Sequence, residues 1–331
     1  MMTLSRRGFL LGSAVALATA TLKPERLNAQ LARLFGSPSR ETSSITPNED
    51  FYITSYSSTA FVNAATWSLR IKGLVKNPIT FTYNDLVKRT NTSMISTLEC
   101  IGNPIGGESI GTAKWEGVKL NALLDEAGVN PAAVDLVLRG ADGYSDSLPA
   151  KRAMQEEVLL VTKMNGVPLP PEHGYPARVI VPGIYGMKNM KWLTEMELVD
   201  HDYKGYWEKR GWSDEAEVRT MSRIDDPGDR ETVKGPDYVI KGIAFAGIRG
   251  IKQVEVSTDG GVNWKTAVLE PALSPYAWTL WSYRWKIPSA SRYTIMVRAT
   301  DGNGTPQPAT RQNPFPDGKT GLHDVSVAVD V

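Results

Sequence analysis

The chain has 331 residues, 41% of them hydrophobic and 22% charged, which suits two globular domains with apolar cores and excludes a fibrous or disordered chain. Its 37 Lys and Arg against 36 Asp and Glu give a formal net charge of +1, so no basic excess is available for nucleic acid or an anionic membrane. A single cysteine, Cys100, excludes an internal disulfide framework, a cysteine-rich zinc site and an iron–sulfur cluster, and no C-x-x-C-H is present to attach a c-type haem.

The first stretch to read is SRRGFLLGSAVALATA, with paired Arg6 and Arg7 followed by an apolar run over residues 8–20. The run has the length of a signal h-region and is short of a bilayer span. Ala18 and Ala20, or Leu27-Asn28-Ala29, supply small-residue cleavage patterns, and the Phe-Leu after the arginines marks a twin-arginine signal over residues 1–29. Such a signal predicts export of an already folded protein to the periplasm, as a cofactor inserted in the cytoplasm would require. Residues 30–47 read as a polar arm.

Residues 48–213 read as an α+β domain. WSLRIKGLV (67–75) alternates as a strand, TYNDLVKRT (82–90) as a short helix capped by Thr82 or Asn84, and KLNALLDEAGV (119–129) as a helix stopped by Gly128. VDLVLRG (134–140) and ARVIVPG (177–183) are rich in β-branched residues and predict buried strands. Residues 147–171 predict a short helix, a strand and an Asn165-Gly166 turn. Strands and helices interleave without regular βαβ spacing. Residues 214–233 are charged, contain Pro227 and Gly228, and read as a linker. Residues 234–331 read as all-β, with short alternating runs and an Asp259-Gly260-Gly261 hairpin turn, which predicts an immunoglobulin-like sandwich without the Cys pair of antibody domains.

Two stretches carry candidate chemistry. In STLECIGNPIGGESI (96–110), Cys100 ends an apolar strand-like run and opens a glycine-rich loop that permits close backbone approach to a ligand. Three readings of the thiol stand open: a buried small hydrophobe, a nucleophile partnered by one of His173, His201 or His323, and a soft metal ligand. One thiolate holds no metal alone, so a metal would arrive within a cofactor. In PPEHGYPARVIVPGIYGMKNMKWL (170–193), His173, Arg178, Lys188 and Lys191 alternate with glycines, a pattern suited to an anion such as a phosphate. Asp142, Tyr144 and Ser145 could contact a polar ring, and NEDFYITSY (48–56) could lie against a flat ligand.

Taken together, TLECIGN, AKWEGVKL, the long stretch ending in YGMKNMKWL, and DYKGYW resemble the molybdenum domain of the sulfite oxidase family, and VEVSTDGGVNW and AWTLW resemble that family's C-terminal dimerisation domain. The resemblance implies that the Cys100 thiolate ligates molybdenum held on the dithiolene of one molybdopterin. It implies that Phe51, Tyr52, Tyr56, His173, Arg178, Lys188, Asn189 and Lys191 line the pterin slot, aided by Asp142 and Ser145, and that Trp115 stands near the substrate. It implies two-electron oxygen-atom transfer, no haem in this chain, electrons exchanged with a separate cytochrome c or membrane quinol protein, and a homodimer.

Three positions depart from the pattern of a sulfite-binding pocket. Thr54 and Ile105 stand where arginines are expected, and Thr162 stands where a tyrosine is expected. Lost bidentate anion donors are worth about 1.5–3 kcal/mol each. The pocket is therefore expected to favour an uncharged small molecule such as an S- or N-oxide, with a sulfite dehydrogenase as the alternative. Lys114, Lys163 and Arg152 are the cations that could act from another angle.

Overall fold

The computed structural model describes residue 40 and residues 42–330. The signal over 1–29, and residues 30–39 and 41 of the arm, lie outside the described residues. The first domain contains β1 (Ser68–Gly73), β2 (Ile79–Thr82), β3 (Thr92–Glu99), β4 (Ile110–Lys119), β5 (Asp135–Gly140), β6 (Ser145–Pro149), β7 (Leu159–Met164), β8 (Val167–Pro168), β9 (Arg178–Ile180) and β10 (Leu193–Val199), with helices α1 (Tyr83–Arg89), α2 (Leu120–Ala127) and α3 (Ala150–Ala153). Strands dominate, and the longest of these helices has 8 residues.

Local chemistry explains the helix ends. The Thr82 hydroxyl accepts from Asp85 N at 3.2 Å while the Asp85 carboxylate accepts from Thr82 N at 2.9 Å, closing a capping box on α1. Gly128 ends α2 at φ +70°, where its N–H reaches the Leu124 and Asp125 carbonyls. The Asn165-Gly166 turn takes φ +51° and +85°, as its sequence predicts, and folds β8 back onto β7.

Two sheets build the domain. One runs β2-β1-β10-β5-β6, with β1 and β10 parallel; the other runs β3-β4-β7-β8, with β9 on β7. Leu160 and Val179 of the second sheet pack with Leu69, Leu136 and the α2 leucines in one core, whereas Leu159, Val161 and Ile180 face Phe51, Leu98 and Trp115 in another. The second sheet is thus buried on both faces, which is why Leu159–Val161 of β7 and Val179–Ile180 of β9 read as apolar runs. Cys100 follows directly on β3, at the edge of this doubly covered layer.

The second domain contains β11 (Met221–Asp226), β12 (Thr232–Lys234), β13 (Asp237–Phe245), β14 (Ile251–Ser257), β15 (Lys265–Thr266), β16 (Val268–Leu269), β17 (Thr279–Lys286), β18 (Arg292–Asp301) and β19 (His323–Asp330). They form two sheets, β11-β13-β17-β16 and β12-β19-β18-β14-β15, closed over a shared core that includes Ile240, Trp281, Val256 and Val297. The linker expectation over 214–233 needs correction. Within it, β11 pairs with residues 241–245 of β13 and β12 pairs with β19, so this stretch is part of the domain. Its charges misled because they are partnered: Arg223 Nε donates to Asp225 at 2.5 Å with both side chains buried.

The tryptophans divide. Trp281 and Trp285 fill the second core, Trp264 lies under the Arg298 guanidinium at 4.3 Å, and Trp278 joins Ile101, Ile110 and Tyr185 in a cluster between the domains. The described end of the arm is tied down as well. Arg40 N donates to Asp225 O at 2.7 Å, Thr46 N to Thr112 O at 2.8 Å, and Trp278 Nε1 to Ser44 O at 3.2 Å.

Candidate active site

Cys100 opens a loop that closes on itself. Its N–H donates to Ser109 O at 2.9 Å, and its carbonyl accepts from Asn103 N at 2.9 Å. The thiol faces a cavity of about 240 Å³ walled by residues from the 51–56 segment, β3, the 142–144 turn, the loop after β9 and the segment before residue 213. Burial pushes the Cys100 thiol up, and this is opposed by the Gly102 N–H and the Thr54 hydroxyl, both directed at the sulfur. Glycine at 186 is required by space: a Cβ there would stand 2.7 Å from the Tyr52 hydroxyl.

The wall opposite is built on stacked rings. Phe51 stacks on Tyr52 at 5.3 Å and meets Trp115 and His173 edge-on at 5.7 and 5.5 Å. His173 Nε2–H donates to Asn48 O at 2.9 Å, and burial lowers its pKa, so the ring is neutral. Arg178 is buried over the Trp115 ring at 5.1 Å; Nη1 donates to His173 O at 3.0 Å and Nη2 to Asn189 O at 3.1 Å. Its pKa is drawn down to about 10 by burial, which leaves it charged at neutral pH. Lys191 Nζ donates to Ser55 Oγ at 2.8 Å and Glu172 O at 3.0 Å, and burial together with the Arg178 charge brings its pKa down to about 7.

Of the residues expected from the sequence, Cys100, Phe51, Tyr52, Thr54, Tyr56, Asp142, His173, Arg178, Asn189 and Lys191 line this one cavity. Asn189 also braces the loop, with Oδ1 accepting from Val181 N at 2.7 Å and Nδ2 donating to Tyr185 O at 3.1 Å. Five are placed elsewhere. Lys188 is turned inward, its Nζ at 2.9 Å from Asp146, 3.1 Å from Asp214 and 3.3 Å from Glu208. Burial raises the Asp146 carboxyl to about 7 against the pull of Lys188, because Glu208 adds a second negative charge beside it. Ser145 pairs with the Tyr203 hydroxyl at 2.8 Å, and Thr162 with Thr90 at 3.2 Å. Trp115 is fully buried beneath Phe51 and donates through Nε1 to Ser96 O at 3.2 Å. Ile105 packs on Gly321 of the second domain.

The three other cations do not reach the cavity lining. Lys114 pairs with Glu116 at 3.3 Å and Arg152 with Glu157 at 3.0 Å, while Lys163 lies on β7 opposite β8. The sequence reading passed over Met187, Met190, Trp192, Trp207 and Trp212, which complete the wall. No local pattern marks Trp212; it reaches the site through edge contacts with Trp207 at 6.3 Å and Phe315 at 5.2 Å.

The site fits an acceptor-rich ligand that carries its own metal. Arg178 Nε is buried in the cavity wall without a hydrogen-bond partner, a donor that a bound group would satisfy. Among the described residues no three His, Cys, Asp or Glu side chains gather to hold an ion, so a metal on Cys100 has to bring its remaining ligands with it.

Comparison with known proteins agrees with this geometry. A family model for the oxidoreductase molybdopterin binding domain matches residues 56–207, and one for the Mo-co oxidoreductase dimerisation domain matches residues 214–314. Domains of these two kinds in this order define the class of molybdopterin-dependent oxidoreductases, with molybdenum–molybdopterin as cofactor. The mitochondrial sulfite oxidase of Rattus norvegicus is 30% identical over 314 residues, covering 80% of this chain and 58% of that protein. The NAD(P)H nitrate reductase of Hordeum vulgare is 30% identical over 301 residues, covering 72% of this chain and 34% of that protein. The chain spans little more than half the length of the mitochondrial sulfite oxidases it matches. The crystal structure of the sulfane dehydrogenase SoxCD from Paracoccus pantotrophus superposes with a TM-score of 0.76 at 27% identity, covering 88% of this chain and 85% of that one. The chain belongs to the sulfite oxidase family of molybdenum-dependent oxidoreductases.

Proposed function

We propose that the protein is a periplasmic oxidoreductase, exported folded by the twin-arginine route, in which Cys100 ligates the molybdenum of one molybdopterin and whose substrate is an uncharged S-oxide, N-oxide or similar small molecule. The observation that carries this reading is the cationic set of the cavity. Arg178 and Lys191 are the arginine and lysine side chains in its described lining, and what their bonds to protein oxygens leave free is taken by the anionic part of the cofactor rather than by substrate. Thr54 is a neutral lining residue, and Ile105 is turned to the second domain. A small dianion needs charge-assisted donors worth about 1.5–3 kcal/mol each, and their absence around Cys100 favours an uncharged ligand. The aromatic and thioether wall of Tyr56, Trp207, Trp212, Met187 and Met190 suits the same class.

The chain's own groups divide the work. Cys100 loses its proton on binding metal, and the Gly102 N–H and Thr54 hydroxyl stabilise the charge left on sulfur. Arg178, through its free Nε, and Lys191 hold the anionic part of the cofactor. Neutral His173 keeps the 48–51 segment in place through Asn48, and the ring wall excludes water from the reacting centre. When bound, the cofactor supplies two-electron oxygen-atom transfer, with single electrons exchanged with a separate cytochrome c or membrane quinol protein. The second domain, as an immunoglobulin-like sandwich, forms a homodimer.

A sulfite dehydrogenase passing electrons to a cytochrome c is the second reading, favoured by the match to animal sulfite oxidases. Steady-state assay of purified, molybdenum-loaded protein against sulfite and a panel of S- and N-oxides separates the two. The proposal expects kcat/KM for an uncharged oxide at least tenfold above that for sulfite. Sulfite-dependent cytochrome c reduction with a micromolar KM would overturn it.

A further inference from the structure

The metal-ligating loop rests on a charge supplied by the other domain. Glu99, directly before Cys100, is fully buried, and Lys319 from the segment between β18 and β19 donates to its Oε1. The same oxygen accepts from Asn103 Nδ2 at 2.9 Å. Asn103 then organises the loop: its N–H donates to Cys100 O at 2.9 Å and its Oδ1 accepts from Ser109 N at 3.1 Å. The fit is close, since a Cβ on Gly107 would stand 2.3 Å from Asn103 Oδ1. Lys319 is held equally closely, because a Cβ on the neighbouring Gly318 would meet the Tyr185 hydroxyl at 2.2 Å.

Stability alone is a weak reason for such a pair. The desolvation of a buried lysine and carboxylate largely cancels their attraction, and apolar residues of similar volume do as well. Glu99 Oε2, moreover, is buried without a hydrogen-bond partner, so Lys319 is the cation that compensates it. We infer that Lys319 is a positioning residue: by neutralising Glu99 and fixing Asn103 it sets the direction and electronic environment of the Cys100 sulfur, which makes the second domain part of the active site. This rests on the reading that Cys100 ligates molybdenum. Its consequence is that detachment or displacement of the second domain alters the metal centre through Glu99 before any cavity residue moves.

The test has one arm without cofactor and one with it. In cofactor-free protein, Lys319→Met is expected to speed amide hydrogen exchange at residues 100–109 at least tenfold while β1, β5 and β10 keep their protection; Lys319→Arg is expected to restore it. In molybdenum-loaded protein, Lys319→Met is expected to displace the visible thiolate-to-metal absorption band and lower the metal's midpoint potential, since a nearby positive charge has been removed. Should Lys319→Met alone fold poorly, the Glu99→Gln/Lys319→Met pair removes both buried charges while keeping an acceptor for Asn103, and the band is still expected to move. An unchanged band in either variant, or loss of exchange protection spread evenly over the first domain, would overturn the inference. Loss of metal from Cys100→Ser tests the underlying reading separately, and the exchange arm is independent of it.

Discussion

Lys188 and Lys191 stand three residues apart in one glycine-rich loop, and the fold gives them opposite surroundings. Lys188 points inward to Asp146, Glu208 and Asp214, whose charges overcome the cost of burial and hold its pKa above the usual lysine value. Lys191 points to the cavity, with Arg178 beside it and no carboxylate bonded to its ammonium, and its pKa falls to about 7. One lysine holds the fold together. The other is held partly discharged until an anion arrives. Spacing in the sequence marks both as cations of one loop, but only the tertiary structure distinguishes a structural charge from a ligand-seeking one.

The contrast can be broken at either lysine. The largest effect is expected for Lys188→Met, which leaves three carboxylates facing each other and should cost about 3–5 kcal/mol in chemical denaturation. Lys191→Met should change stability by less than about 1 kcal/mol, because no buried counter-charge is orphaned, and should still cut pterin retention severalfold, measured by fluorescence of the released pterin. Equal losses of stability in the two variants would erase the distinction.

A pH series sharpens the same comparison. Lys191 titrates at about 7 in the folded protein and near the ordinary lysine value of 10.5 when unfolded, so between these values the unfolded chain binds more protons and stability rises with pH. Denaturation of cofactor-free protein at about pH 7 and about pH 9 should show that rise, and Lys191→Met should flatten it. The smallest effect is expected for Thr162→Val, which loses one hydroxyl contact to Thr90. It should cost about 0.5–1.5 kcal/mol and leave kcat/KM within about twofold. A larger fall in kcat/KM would place Thr162 in the substrate path after all.

Much of this was legible in the chain. Thr82 and Gly128 end their helices as their residue types dictate, and Asn165-Gly166 makes its turn. Cys100, His173, Arg178 and Lys191 do converge on one cavity. What stayed hidden depends on partners far away in sequence. Arg223 and Asp225 read as linker charges because their pairing inside a strand is invisible locally. Thr162 and Ile105 lie close to candidate motifs yet face Thr90 and Gly321, since alternation along a strand or a loop's turn decides direction. Lys319 could not be found from any motif around Cys100; 220 residues separate it from Glu99.

Metal and pterin content per chain of the protein purified from a molybdopterin-competent host, compared with Cys100→Ser, tests the central assignment most directly. One molybdenum and one pterin per chain in the parent, with molybdenum below a tenth of that in the variant, is the predicted result. A parent that binds no molybdenum, or a serine variant that keeps its full complement, would contradict the role of Cys100.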